Sequence, residues 1–67
     1  MMRIILNGKE AETHGAGSVA ELVDRYQMQP QSVLIEHNGV ALHRREWNHR
    51  TLAEGDRIEI IRVVAGG

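Results

Sequence analysis

Ala53-Glu54-Gly55-Asp56-Arg57-Ile58-Glu59-Ile60-Ile61-Arg62-Val63-Val64 reads as a turn followed by the longest strand of the chain. Gly55 and Asp56 mark the turn, and the β-branched residues after them suit a pleated, half-buried strand. Ile58 and Ile60 alternate with Arg57 and Glu59, so those two isoleucines face a core. Ile61 and Val63 fall in the opposite phase, beside Glu59 on the other face. The first strand is similarly apolar-rich, so the two could be neighbours in the middle of a sheet.

The opening residues supply the first. Met2 to Leu6 is rich in strand formers, Asn7-Gly8 is the strongest short hairpin signal, and Lys9 to His14 returns. Met2, Ile4 and Leu6 share one face, and Arg3 and Ile5 the other. A second Asn-Gly pair, Asn38-Gly39, joins Val33-Leu34-Ile35-Glu36-His37 to Val40-Ala41-Leu42 in another hairpin. Between them, Gly15-Ala16-Gly17 breaks the strand pattern and Ser18 opens a helix over residues 19–27. Glu21, three residues after Ser18, completes a capping box, and Val19, Leu22, Val23 and Tyr26 form one apolar stripe. Pro30 stops the helix. Arg44 to Arg50 shows no period and reads as a helical turn or loop, with Trp47 anchoring it on the core.

These elements predict an α+β fold of the β-grasp type: a mixed sheet of four to five strands with one main helix packed on one face. The first and last strands are expected to be central, parallel neighbours joined by a long crossover. The whole chain, 1–67, forms a single domain, with 65–67 as a flexible C-terminal tail.

Size narrows the function. A chain of 67 residues is one domain, and at that length it buries only about 60% of its unfolded surface. Little interior is left for a catalytic cleft. The net charge of −1 offers no field for nucleic acid, and no apolar run approaches the ~20 residues of a membrane span. The absence of cysteine fits a cytoplasmic protein and denies the chain a thiol nucleophile of its own. His14, His37, His43 and His49 match no compact zinc spacing and read as scattered surface histidines. Gly15-Ala16-Gly17 lacks the Lys-Ser or Lys-Thr pair of a phosphate loop and reads as a connection. No nucleophile, base and orienter can be assembled, so the chain is not expected to be an enzyme. Two features remain. Ile61 and Val63, with Ile5, either form an exposed docking surface, belong to a strand covered on both sides, or change phase through a bulge at Ile60-Ile61. The terminal Ala65-Gly66-Gly67 is slim enough to thread a narrow channel, and four extended residues reach ~13 Å.

From Gly55-Asp56 through the apolar strand to Gly66-Gly67, the sequence resembles the bacterial sulfur carriers of thiamin synthesis, the ThiS family. The opening strand with Asn7-Gly8, the helix after Ser18, the hairpin from Ile35 to Leu42 and Arg45-Glu46-Trp47 also sit at family-like positions. The small subunit of molybdopterin synthase is similar, but tends to carry prolines before its final segment, where this chain has none. The resemblance implies that a ThiF-like adenylating enzyme, using ATP and magnesium, activates the Gly67 carboxylate as an acyl-adenylate. A sulfur donor such as a cysteine desulfurase then gives the Gly67 thiocarboxylate, which delivers sulfur to a ThiG-like thiazole synthase. Gly66 and Ala65 would give access, and Ile61, Val63 and Ile5 would dock the partners. No bound cofactor, metal or nucleic acid is implied. A carrier for another pathway, or a plain interaction module of the same fold, are the alternatives.

Overall fold

The computed structural model describes residues 2–63. Five strands, β1 (Arg3–Leu6), β2 (Lys9–Glu12), β3 (Val33–His37), β4 (Val40–Leu42) and β5 (Arg57–Arg62), form one mixed sheet in the order β2-β1-β5-β3-β4. As expected for a β-grasp, β1 and β5 are parallel and central, and the other pairings are antiparallel. The helix α1 (Val19–Arg25) crosses one face. Val19, Leu22 and Val23 of α1 meet Ile4, Ile35, Ile58 and Ile60 of the sheet, all buried, and Trp47 and Leu52 join the same cluster. Arg44 to His49 is a 3-10 helix with Trp47 its buried residue, so the indole anchors that segment as expected.

β5 runs from Arg57 as predicted, and the Val63 N–H still bonds the Ser32 carbonyl at 2.8 Å. Its predicted last residue, Val64, lies outside the described residues. So does the tail, Ala65-Gly66-Gly67.

Both Asn-Gly pairs form turns with positive φ at each residue: Asn7 50° and Gly8 83°, Asn38 50° and Gly39 84°. That is the backbone of a type I′ turn. The asparagine side chains do a second job. The Asn7 N–H donates to the Ile58 carbonyl at 2.9 Å, continuing the parallel ladder, but its own carbonyl has turned away into the hairpin. The Asn7 carboxamide takes the vacated place: its Oδ1 accepts from the Ile60 N–H at 2.7 Å, and its Nδ2 donates to the Ile60 carbonyl at 3.2 Å. Asn38 acts alike on the other side of β5. Its N–H donates to the Arg57 carbonyl at 2.8 Å, and its Oδ1 accepts from the Arg57 N–H at 2.8 Å.

The helix is shorter than predicted, ending at Arg25 instead of residue 27. Gln27 adopts a left-handed conformation, φ 56°. The Met28 N–H reaches back to the Val23 carbonyl and the Gln27 N–H to the Asp24 carbonyl. This is a Schellman termination, which usually carries glycine at that position. At the other end the Ser18 Oγ accepts from the Glu21 N–H at 3.2 Å. The returning bond of the box comes from the Gly17 N–H to Glu21 Oε1 at 2.7 Å, one residue earlier than the usual pairing.

Replacing Asn7 by glycine keeps the turn conformation and removes only the carboxamide. Asn7→Gly is expected to lower unfolding free energy by about 1–3 kcal/mol, the cost of stranding the half-buried Ile60 amide. In a domain this small that is a fall in Tm of roughly 4–8 °C per kcal/mol, measurable by thermal denaturation.

Candidate functional site

The outer face of the sheet, away from α1, carries the predicted docking residues. β3 and β5 pair without a bulge from Val33↔Arg62 to His37↔Ile58, so strict alternation holds across Ile60-Ile61. Ile61 is 51% exposed and Val63 48%, so this stretch is not a strand covered on both sides. Directly opposite Ile61 in the ladder stands Leu34, 58% exposed. Leu34, Ile61 and Val63 thus form one apolar patch at the end of β5 that leads into residues 64–67. Leu34 was not singled out from sequence because Val33-Leu34-Ile35 reads as an unbroken apolar run. The signal lay in its phase with Glu36, which marks the outer face.

Ile5 is not brought to that patch. It is half-buried and pairs with Arg57 on one side and Glu10 on the other. Arg57 is four residues from Ile61 along β5, about 13 Å at the rise of a strand. Arg57 and Glu59 occupy the interval on the same face. Gly67, Gly66 and Ala65, the expected reacting and access residues, lie outside the described residues.

Four histidines were expected at the surface. The structure corrects this for His37, which is 6% exposed. It follows Val33 and Ile35 in the inward phase of β3 and finds polar partners there. Its Nε2 lies 2.7 Å from Asp56 Oδ2, and Arg50 Nε donates to its Nδ1 at 3.2 Å. Nδ1 is therefore the acceptor, and Nε2 carries the proton shared with Asp56. Asp56 also accepts from the Ala53 N–H at 2.9 Å and from Asn38 Nδ2 at 3.1 Å. Burial opposes ionisation of this carboxyl, but the bonds from His37, Asn38 and Ala53 outweigh it and hold its pKa below the ordinary aspartate value. Gly55, at φ 83°, lets the turn close over this carboxylate. The Gly55-Asp56 pair is therefore structural. It fixes where β5 begins.

Among the described residues no group of three or more His, Cys, Asp or Glu side chains is placed to hold a metal ion. No helix among them is long and apolar enough to cross a membrane.

Comparison with known proteins points to one family. A family model for the ThiS family matches residues 4–67. The chain is 30% identical over 63 residues to the sulfur carrier protein ThiS of Bacillus subtilis (strain 168), covering 92% of this chain and 96% of that one. It is 24% identical over 62 residues to an uncharacterised protein, ycf40, of Trieres chinensis, covering 92% of this chain and 85% of that one. The crystal structure of the thiamine biosynthesis protein ThiS from Geobacter metallireducens matches with a TM-score of 0.79 at 33% identity, over 98% of this chain and 100% of that one. The solution structure from the same organism gives the same TM-score of 0.79 and identity, with 98% and 88% covered.

Because folding lowers the Asp56 pKa, the folded chain binds that proton more weakly than the unfolded chain. The stability it contributes is complete above the unfolded value of about 3.9 and is lost as pH falls through the folded value. Asp56→Asn is expected to cost about 1.5–3 kcal/mol at pH 7. The gap to wild type should narrow in urea titrations as pH falls below about 4, where the unfolded carboxyl takes up its proton first, and close once the native carboxylate is protonated in turn. A constant gap across that range would rule out the ionised Asp56 as the source.

Proposed function

The chain belongs to the ThiS family of sulfur carriers, and on that premise we propose that it carries sulfur for the thiazole ring of thiamin on the carboxylate of Gly67. The observation that carries this reading is the family match through residue 67, the glycine that would bear the sulfur. A carboxylate oxygen of Gly67 attacks the α-phosphorus of ATP on a ThiF-like partner enzyme and pyrophosphate leaves. The outer sulfur of a donor's persulfide then displaces AMP at the acyl carbon to form an acyl disulfide, and a thiol reductant cleaves its S–S bond to leave the thiocarboxylate. The chain has no cysteine, so the sulfur atom must come from a donor such as a cysteine desulfurase. The loaded carrier then gives its sulfur to a ThiG-like thiazole synthase. Magnesium and ATP belong to the partner's site, and this chain acts as co-substrate.

The geometry supports a division of labour. Residues 65–67 would enter the partner's active site, with glycine, which has no side chain to obstruct a narrow channel, at two of the three positions. The globular part would dock outside through Leu34, Ile61 and Val63, an exposed apolar patch of the kind that marks an interface. That patch lies two residues before the tail in sequence, which suits it to aim the terminus. The thiamin pathway is favoured over its sister routes by the two ThiS relatives that match along nearly their whole lengths.

Incubation with the adenylating enzyme of the same organism, ATP and a sulfide source should replace one oxygen by sulfur at the terminus, read by intact mass. One extra residue after Gly67, or deletion of Gly67, should abolish that gain while the folded spectrum stays unchanged. Conversion of the extended chain at full rate would rule out the terminal carboxylate. Loss of the gene should create a thiamin requirement.

Leu34→Ser with Ile61→Ser should raise the KM for this chain by about tenfold, near 1.4 kcal/mol of binding, with kcat for bound carrier kept. The domain should stay folded, since both side chains are already exposed. An unchanged KM would show that the partner docks elsewhere.

A further inference from the structure

Next to the apolar pair on the outer face lies a pair that works against the fold. Glu36 of β3 and Glu59 of β5 stand directly opposite each other in the antiparallel ladder, one outward position from Leu34 and Ile61. Their Cβ atoms are therefore about 4.5–5.5 Å apart, and like charges so placed are destabilising. Neither carboxylate has a cationic partner among the described residues, whose ion pairs are Arg3–Glu10, His14–Glu12, Arg25–Asp24 and His37–Asp56. Arg57 shares the outer face, two residues from Glu59, and it forms no such pair either. Threonine at either position would suit a strand better. Glu36 is moreover half-buried, so its charge is only partly screened by water.

We propose that Glu36 and Glu59 complete the docking surface: the partner that covers Leu34, Ile61 and Val63 presents an arginine or lysine beside its own apolar side chains, and that cation seats between the two carboxylates. This deepens the docking reading given above and rests on it. A guanidinium suits the site because two adjacent carboxylates offer it paired acceptors. A second copy of this chain suits it poorly. A two-fold axis across the strands at the apolar pair would set Glu59 against Val63, pressing a carboxylate on an apolar side chain, and one along the strands would set the acidic pair against its own copy. The acidic pair thus makes the surface directional, attracting a basic-rimmed partner and disfavouring self-association.

The test is steady-state adenylation by the adenylating enzyme of the same organism, with this chain as varied substrate. Glu36→Gln with Glu59→Gln should raise KM about tenfold and leave kcat unchanged. Wild-type KM should rise with added salt between low and high ionic strength, while the double variant should show a much flatter response. Removing the repulsion should leave Tm equal to or above that of wild type, so folding does not confound the result. Glu36→Lys with Glu59→Lys should weaken binding further. An unchanged KM and salt response in the glutamine variant, with thiocarboxylate still formed, overturns the acidic pair and leaves the carrier reading standing. If wild type is never converted, the carrier reading has failed and this proposal falls with it.

Discussion

β5 lies between β1 and β3, and two carboxamides extend its hydrogen bonding where main-chain partners stop. β1 is only four residues long, and its parallel register with β5 covers two positions, Ile5↔Arg57 and Leu6↔Ile58. So short a ladder leaves the middle of β5 without a partner on that side. The chain must also reverse at Asn7 to form the first hairpin. Asparagine meets both demands, because it tolerates the left-handed turn and its Oδ1 can stand where the main-chain carbonyl would have been. At Asn38 the same exchange closes the antiparallel ladder at the very start of β5. Losing the Asn7 side chain would strand the part-buried Ile60 amide, while losing that of Asn38 would leave the exposed Arg57 amide to water.

Once β5 is pinned, its two faces are committed to different tasks. Ile58 and Ile60 complete the core under α1, at 0% and 9% exposure, while Ile61 and Val63 stay in solvent. The Asp56–His37–Arg50 chain of bonds fixes the entry to the strand, and the ladder with β3 fixes its register. The position and orientation of the strand's far end then follow. A carrier whose chemistry is done by another protein needs this from its fold more than it needs a cleft. The core residues sit on one face of the strand and the exposed apolar ones on the other, so changes in one need not disturb the other.

The elements themselves were legible because each carries local chemistry: two Asn-Gly turns, a Ser18 cap, an apolar stripe of period 3.6, and a strict alternation in β5. The features that were not legible all depend on partners distant in sequence. Nothing near Gln27 announces a helix end, since glycine usually fills that place and here glutamine accepts the strain. His37 looks like any polar residue before a turn until Asp56 and Arg50 are brought to it. Leu34 gains its meaning from Ile61, and Ile61 from the absence of a bulge. The apolar patch was half visible for this reason. One strand showed its phase, and the neighbour that completes the patch was hidden in a continuous apolar run. Ile5, assigned to the same face correctly, proved to lie at its other end, because face follows from alternation and distance only from register.

Exposed apolar groups and an unpaired acidic couple on one sheet face have a shared physical cost. A domain of this size stands only about 3–10 kcal/mol above its unfolded state. Repulsion between Glu36 and Glu59 consumes some of that margin, and Leu34 and Ile61 contribute less hydrophobic stabilisation exposed than they would buried. Sequences sit just above the stability they need, so such choices persist only where a compensating gain exists or where their cost is small. Here the costs gather on one contiguous stretch of β3 and β5, and away from it only Val40 of β4 is a large apolar side chain left exposed among the described residues. Scattered compromise would suggest drift. Compromise gathered on the side that leads to the terminal glycines points to a surface shaped by what binds it.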